Sequence, residues 1–418
     1  MSKALTAFLP LLVAACAFDF DVEKRDGRDD EGEQDADGAG DADITPDPDA
    51  QDGREDAADP ELPDDQPVEP PQDGVEDVAG DDAAEEEPGP CTDGDVVCSG
   101  GGAQRCEGGR LVDLGPCPLG CDETEDACRV PSNVPRDLVD ETAGDLDLSG
   151  MSGTVTVDTG TGEIVGGSGN ILRPAGTGRD PGSGITFTIV DQGTGAPPIG
   201  AFSVGTLVVP SSVTIRGTGD NALAIIASGT VTLNGIIDVG GEESGGGPGA
   251  GDGGAAGTAG TGLCAGRTGS GLFDCCEACS AGGGGGGFGG SGGAGGDGGE
   301  YGEFAGGAGG GTCGTVQLVP LAGGSGGAGG GIAAGGPSNP GPGGGGGGAL
   351  QLTSAELITI GGSGGVQAGG EGGGPSNIGG GGGAGSGGGI LIEAPTVTLL
   401  TNATLAANGG GGGAGDCT

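Results

Sequence analysis

Glycine occupies 112 of the 418 positions, and 76 of these fall in the 180 residues from Val239 to Thr418. Glycine frees the backbone and offers no side chain to bury, so half a chain built on it cannot fold around an ordinary core. Eight Phe, one Tyr and no Trp add little large apolar surface elsewhere. The usual two- or three-domain enzyme core is therefore excluded for a chain of this length.

The side-chain inventory removes several chemistries. With no His, Ser-His-Asp and Cys-His catalysis and His metal sites are absent. Lys3 and Lys24 are the only lysines, so the body holds neither a P-loop lysine nor a Schiff-base lysine. A formal charge of −48 argues against nucleic acid as a partner, since phosphate contacts require cations. No cofactor or metal site is expected.

The first residues read as an export signal: Lys3, an apolar stretch from Ala4 to Ala15, then Val13-Ala14-Ala15-Cys16. The apolar run is too short to span a bilayer as a stable helix. Val13-Ala14-Ala15-Cys16 resembles the lipobox of bacterial lipoproteins. That resemblance implies removal of residues 1–15 and acylation of Cys16, which would anchor the chain to a membrane by lipid. Ala17 after the Cys implies, by the same resemblance, the outer membrane or cell surface. Residues 16–90 follow as the lipidated Cys and an acidic linker: from Asp19 to Pro90 there are 30 acidic and four basic residues, mixed with Pro, Gly, Ala and Gln. Such composition predicts a disordered, extended tether.

Setting Cys16 aside leaves twelve cysteines in two groups of six. Cys91, Cys98, Cys106, Cys117, Cys121 and Cys128 lie within residues 91–128, a small Cys-rich module. In an exported chain this spacing predicts three disulfides rather than zinc ligands, with fifteen connectivities open. Cys264, Cys275, Cys276, Cys279, Cys313 and Cys417 lie in glycine-rich sequence and are expected to cross-link loops. Cys276-x-x-Cys279 lacks the βαβ setting of a thioredoxin-like redox motif.

From about Leu146, short β-branched runs alternate with Gly, Asn, Asp and Pro, as in Thr154-Val155-Thr156-Val157 and Val213-Thr214-Ile215. Three segments repeat one another. The first holds Ala222-Leu223-Ala224-Ile225, Val231-Thr232-Leu233 and Ile236-Ile237-Asp238-Val239. The second holds Ala349-Leu350-Gln351-Leu352, Ile358-Thr359-Ile360 and Val366-Gln367-Ala368. The third holds Gly389-Ile390-Leu391-Ile392, Val397-Thr398-Leu399 and Leu405-Ala406-Ala407. Each offers three strands that it cannot bury alone, so the units must stack. The expected fold is all-β: a right-handed parallel β-helix, or β-solenoid, with long Gly-rich insertions that leave the stack at one corner after each Gly-Gly pair. Residues 129–241 form its first part, 242–348 a Gly-rich Cys-containing insertion, and 349–418 the last coils with Gly-rich loops. Gly-rich sequence is ordinarily random coil. Embedded Cys and apolar residues such as Phe288 and Leu318 point instead to order, through close packing of extended chains with three residues per turn. Gly292 to Glu300 partly matches a calcium-binding nonapeptide, but Gly299 stands where a large apolar residue belongs.

Phrases such as Leu318-Val319-Pro320-Leu321 before Gly323-Gly324-Ser325-Gly326-Gly327, and Leu391-Ile392-Glu393-Ala394-Pro395-Thr396-Val397, resemble glycine-rich, Cys-containing surface lipoproteins of myxobacterial type. The composition is also similar to that of mycobacterial glycine-rich repeat proteins. The resemblance covers residues 91–418 and implies location and architecture, with no activity to transfer. The expected function is non-enzymatic: a cell-envelope lipoprotein with a structural, adhesive or matrix-interaction role, its partners the membrane and cell-wall or extracellular-matrix glycans. The alternative is a polysaccharide-acting β-helix enzyme, a glycoside hydrolase or lyase. Its carboxylates would come from Glu163, Asp191, Asp220, Asp238, Glu242, Glu243, Glu356 and Glu393, with Arg216 as the candidate base of a lyase. Ice or mineral binding by a flat repetitive glycine face is a third reading.

Overall fold

The computed structural model describes residues 91–99, 102–117, 119–122, 127–271, 280–299, 304–332 and 338–416. The expected signal segment, Cys16, the acidic linker and Cys275, Cys276, Cys279 and Cys417 lie outside the described residues. Among those described there is no α-helix, and no helix is long and apolar enough to cross a membrane.

In the Cys-rich module, β1 (Val96–Ser99), β2 (Gly102–Glu107) and β3 (Arg110–Pro116) form an antiparallel sheet. β4 (Cys121–Asp122) and β5 (Ala127–Cys128) form a short antiparallel pair. Its buried apolar side chains are few: Ala103, Cys106, Cys117 and Leu119. Disulfides Cys91–Cys106, Cys98–Cys121 and Cys117–Cys128 supply the cohesion that so small a core lacks.

The body starts with β6 (Leu146–Asp147), β7 (Gly153–Asp158), β8 (Ile164–Val165), β9 (Ile171–Arg173), β10 (Gly178–Arg179) and β11 (Thr186–Val190). Four strand triplets follow. They are β12 (Ile199–Val204), β13 (Leu207–Val209) and β14 (Val213–Thr218); β15 (Ala222–Ala227), β16 (Val231–Leu233) and β17 (Ile236–Asp238); β18 (Ala349–Ser354), β19 (Leu357–Ile360) and β20 (Gly365–Gln367); and β21 (Gly389–Glu393), β22 (Thr396–Leu399) and β23 (Thr404–Ala406). Each triplet gives one strand to each of three sheets, in parallel with the equivalent strand of the triplet before it. The register aligns the sequence repeats residue for residue: Leu223 with Leu350 and Ile390, Val231 with Ile358 and Val397, Ile237 with Val366 and Leu405.

The inward Leu, Ile and Val of the three sheets form one buried column. The second and third sheets alternate buried and part-exposed residues, as strands with one wet face do. The first sheet differs, since every residue of β12, β15 and β18 is buried. Its outer face, including Ile199, Ala201, Ala222, Ala224 and Ile226, is covered by Val134, Leu138, Val139, Leu318 and Leu321.

At the start of the body the sheets turn antiparallel, through β7–β8–β9 and β10–β11–β12. Arg173, at the end of β9, is 1% exposed. Its guanidinium donates to the carbonyls of Ile185 at 3.2 Å, Gly162 at 2.5 Å, Pro174 at 2.9 Å, Gly176 at 2.7 Å and Gly178 at 2.8 Å. It also stacks over Phe187, 5.5 Å from the ring centroid. The charge is thus spread over peptide dipoles rather than matched by a buried carboxylate.

The described residues of the glycine-rich segments run as extended chains with defined hydrogen-bond partners. They leave the sheets after β17, β20 and β23, as the Gly-Gly pairs predict. Extended chains run alongside one another, and their hydrogen bonds recur at every third residue. Gly251, Gly254 and Gly257 donate to Gly324, Gly327 and Gly330; these donate to Gly347, Gly344 and Gly341; and Gly341, Gly344 and Gly347 donate to Gly380, Gly383 and Ser386. This is the period of a three-residue-per-turn chain, which has no internal hydrogen bonds and must satisfy its peptide groups on neighbours. The chains of 242–348 and the segments after β20 and β23 make one bundle. The boundary at residue 348 therefore separates sequence segments but not packed units. Chains approach so closely that glycine is obligatory: a Cβ on Gly327 would lie 2.1 Å from the Gly383 oxygen.

Candidate functional site

On the third sheet, side chains that point away from the core line up across successive strands. Thr156 on β7 is in register with Arg216 on β14, Arg216 with Asp238 on β17, Asp238 with Gln367 on β20, and Gln367 with Ala406 on β23. Neighbouring strands lie about 4.8 Å apart, so the row presents polar groups at a regular interval. The chain just beyond the strands, where the glycine segments leave, adds Gly240, Glu242, Glu371 and Asn408. With Arg216, Asp238, Gln367 and Ala406 of the row, and with Thr154 and Thr214 of the same sheet, these residues line an open groove of about 560 Å³.

Arg216 is the fixed point of the groove. Its Nη1 lies 2.9 Å from Asp238 Oδ2 and its Nη2 3.5 Å from Glu242 Oε2. Nη2 also donates to the Gly240 carbonyl at 3.0 Å. Asp238 Oδ1 accepts from the Gly240 amide at 2.9 Å, so both its oxygens are engaged. A second open cleft of about 430 Å³ lies on the other side of Glu242 and shares Arg216 with the first. One guanidinium faces three carboxylates in the main groove, which leaves it net negative, and no aromatic ring lines it.

Of the carboxylates singled out in the sequence, the structure brings Asp238 and Glu242 together at Arg216. Glu243 lines the second cleft beside Glu242, and the rest are dispersed. Asp191 Oδ1 accepts from Gly193 N at 2.9 Å in a turn, while Asp220 and Glu356 are exposed and Glu163 is half-buried outside the groove. Glu393 does a structural job: its Oε2 accepts from Gln351 Nε2 at 2.8 Å and Thr353 Oγ1 at 3.2 Å. Both its oxygens also accept from Ser132, Oε1 from the hydroxyl at 2.5 Å and Oε2 from the amide at 3.3 Å, fastening residues 129–134 to β21. Sequence reasoning missed Glu371, Gln367 and Asn408. The available signal was the repeat alignment, which sets Gln367 opposite Asp238 and Glu371 at the point equivalent to Glu242.

Another open cleft, about 630 Å³, is lined mainly by bundle glycines, with Phe288, Leu318 and Ile390 at its apolar side. It offers backbone and little side-chain chemistry. Among the described residues the three sulfurs of Cys98, Cys117 and Cys121 are the one group close enough to share a metal ion, and all three are committed to disulfides. No family model matches the chain, and no curated protein or solved structure matches it.

Proposed function

We propose that the chain is an exported, lipid-anchored cell-envelope protein whose β-rich body attaches to a glycan without cleaving it. In this reading the stacked triplets wind as a right-handed parallel β-helix, Cys16 carries the lipid, and the acidic linker holds the body away from the membrane. The observation that carries the binding role is the in-register row Thr156, Arg216, Asp238, Gln367. A ladder of hydrogen-bonding groups at a fixed repeat suits a polymer with repeated hydroxyls.

Charge narrows the polymer. With Arg216 already held by Asp238 and Glu242, the groove favours neutral or amine-bearing sugars over polyuronates. Attachment is favoured over turnover because a glycosidase needs one carboxyl free to protonate the leaving oxygen and a second placed opposite it. Here Asp238 has both oxygens engaged, and Glu242 is held by the same guanidinium. Recognition without aromatic stacking is weak per site, so a long groove and a dense surface array would supply the avidity.

The test uses the purified full chain with soluble neutral, amino-bearing and uronic glycans, following binding and release of reducing or unsaturated ends together. Retention of neutral or amino glycans without new ends supports the proposal. Release of ends establishes the hydrolase or lyase alternative, and absence of binding to every class removes the attachment role.

A further inference from the structure

Cys264 and Cys313 stand as thiols, 49 positions apart in sequence, on two glycine-rich chains that flank the same third chain. The Cys264 carbonyl accepts from Gly287 N at 2.8 Å, and Cys313 N donates to the Phe288 carbonyl at 2.9 Å. The two chains also meet directly: a Cβ on Gly310 would lie 1.8 Å from the Cys264 oxygen. The Cys313 sulfur in turn reaches the Gly287 carbonyl at 3.9 Å, so both cysteines converge on Gly287. Beneath them, the buried Ser325 hydroxyl accepts from Cys264 N at 2.9 Å.

The surroundings suit a disulfide and not a metal or a reactive thiolate. Among the described residues, no third Cys or carboxylate completes a ligand set with this pair. Burial, reinforced by the neighbouring Cys264 thiol, pushes the Cys313 thiol up to about 12, so it keeps its proton at neutral pH. Both side chains are half-buried, which leaves them within reach of a small oxidant.

We infer that Cys264 and Cys313 are a specific disulfide pair, which clamps the chain of 258–271 to the chain of 304–314 across Gly287. The oxidant is a disulfide-bearing small molecule or protein. One cysteine of the pair gives up its proton to solvent as its sulfur attacks an oxidant sulfur and displaces the oxidant's other sulfur, which takes up a proton; the second cysteine, losing its proton likewise, then attacks the first cysteine's sulfur in the mixed disulfide and releases the second oxidant thiol. One S–S bond forms in the bundle, the oxidant's S–S bond is reduced to two thiols, and two electrons pass to the oxidant. The inference stands independently of the glycan-binding groove, since it uses none of its residues.

The full chain, reduced and then oxidised with oxidised glutathione, is alkylated, denatured and cut with trypsin and Glu-C without reductant. Cleavage after Glu243, Arg267, Glu303 and Glu356 places Cys264 alone in peptide 244–267 and Cys313 alone in peptide 304–356. Cys275 and Cys276 fall in 268–277, Cys279 in 278–300 and Cys417 in 394–418, so every competing partner is separable. The expected product is 244–267 joined to 304–356, with C264S restoring alkylation of Cys313 and C313S restoring that of Cys264. Peptide 244–267 recovered mainly with another Cys peptide, as a glutathione adduct or as a free thiol would overturn the assignment.

Discussion

A Cβ placed on Gly385 would lie 2.0 Å from the carbonyl oxygen of Gly345, while one on Gly293 would meet nothing within 4 Å. The two glycines belong to the same bundle, yet only the first faces a neighbouring chain. Gly385→Ala should lower stability by at least about 1–3 kcal/mol, since the obstacle is backbone and cannot swing aside. Gly293→Ala should be neutral or stabilising by up to about 1 kcal/mol, by restricting the unfolded chain. Denaturant or thermal melts of the two variants check the contrast. Equal effects would mean that the bundle is not packed in this register.

Arg173 spends its guanidinium on five backbone carbonyls. Lys has three donors on a point charge and cannot span them. Arg173→Lys should therefore cost about 2–5 kcal/mol, as carbonyls near Gly162 to Gly178 lose their partners. Faster hydrogen exchange confined to β8–β11, with a lower melting temperature, is the expected signature.

In the groove, Arg216→Ala and Asp238→Asn should each reduce glycan retention at least tenfold. Because the ion pair is partly exposed, at 19% and 27% of side-chain area, each should change folding stability by less than about 1 kcal/mol. Isothermal titration beside a melting curve separates the two effects. A variant that loses stability and binding together would point to a structural role for Arg216.

Acid should loosen the segment that precedes the body and the turn between β10 and β11. The Thr142 hydroxyl, bonded to Asp140 Oδ1 at 2.7 Å, and then the Thr142 amide and Arg179 hold the Asp140 carboxyl below its ordinary range. Ser183 does the same for Asp180 through its amide and hydroxyl. A carboxyl depressed in the folded state adds stability above its unfolded pKa, and that stability is lost as pH falls through the folded value. Melting temperature should thus drop below about pH 4, with a shallower slope in D140N and D180N. The effect should be small, since both groups sit near solvent.

Much of the sheet register was legible because Leu223, Leu350 and Ile390 head three runs of matching apolar spacing, and stacking is the only way for such short units to bury them. The strand Ile199–Val204 was not, because Ile199-Gly200-Ala201-Phe202-Ser203-Val204 lacks alternation. With both faces buried, its outward Ile199 and Ala201 pack under Val134, Leu138 and Leu321, and period-two patterning disappears. The short antiparallel strands at 164–179 were also hidden, as two-residue strands such as Ile164–Val165 carry almost no pattern of their own. In the groove, Asp238 was visible as a carboxylate but its link to Arg216 depends on a cross-strand register that no local motif announces. Glu371 and Asn408 sit in loops whose glycines dominate the local signal.

The bundle also sets how the molecule responds to temperature. Taking it apart would wet chiefly amide groups, and hydrating polar area lowers heat capacity by about 0.26 cal/K/mol/Å², against a rise of about 0.45 for apolar area. Its stability therefore varies less with temperature than that of an oily core of the same length. Chilling, which weakens hydrophobic cohesion, leaves a scaffold of peptide-to-peptide hydrogen bonds comparatively untouched.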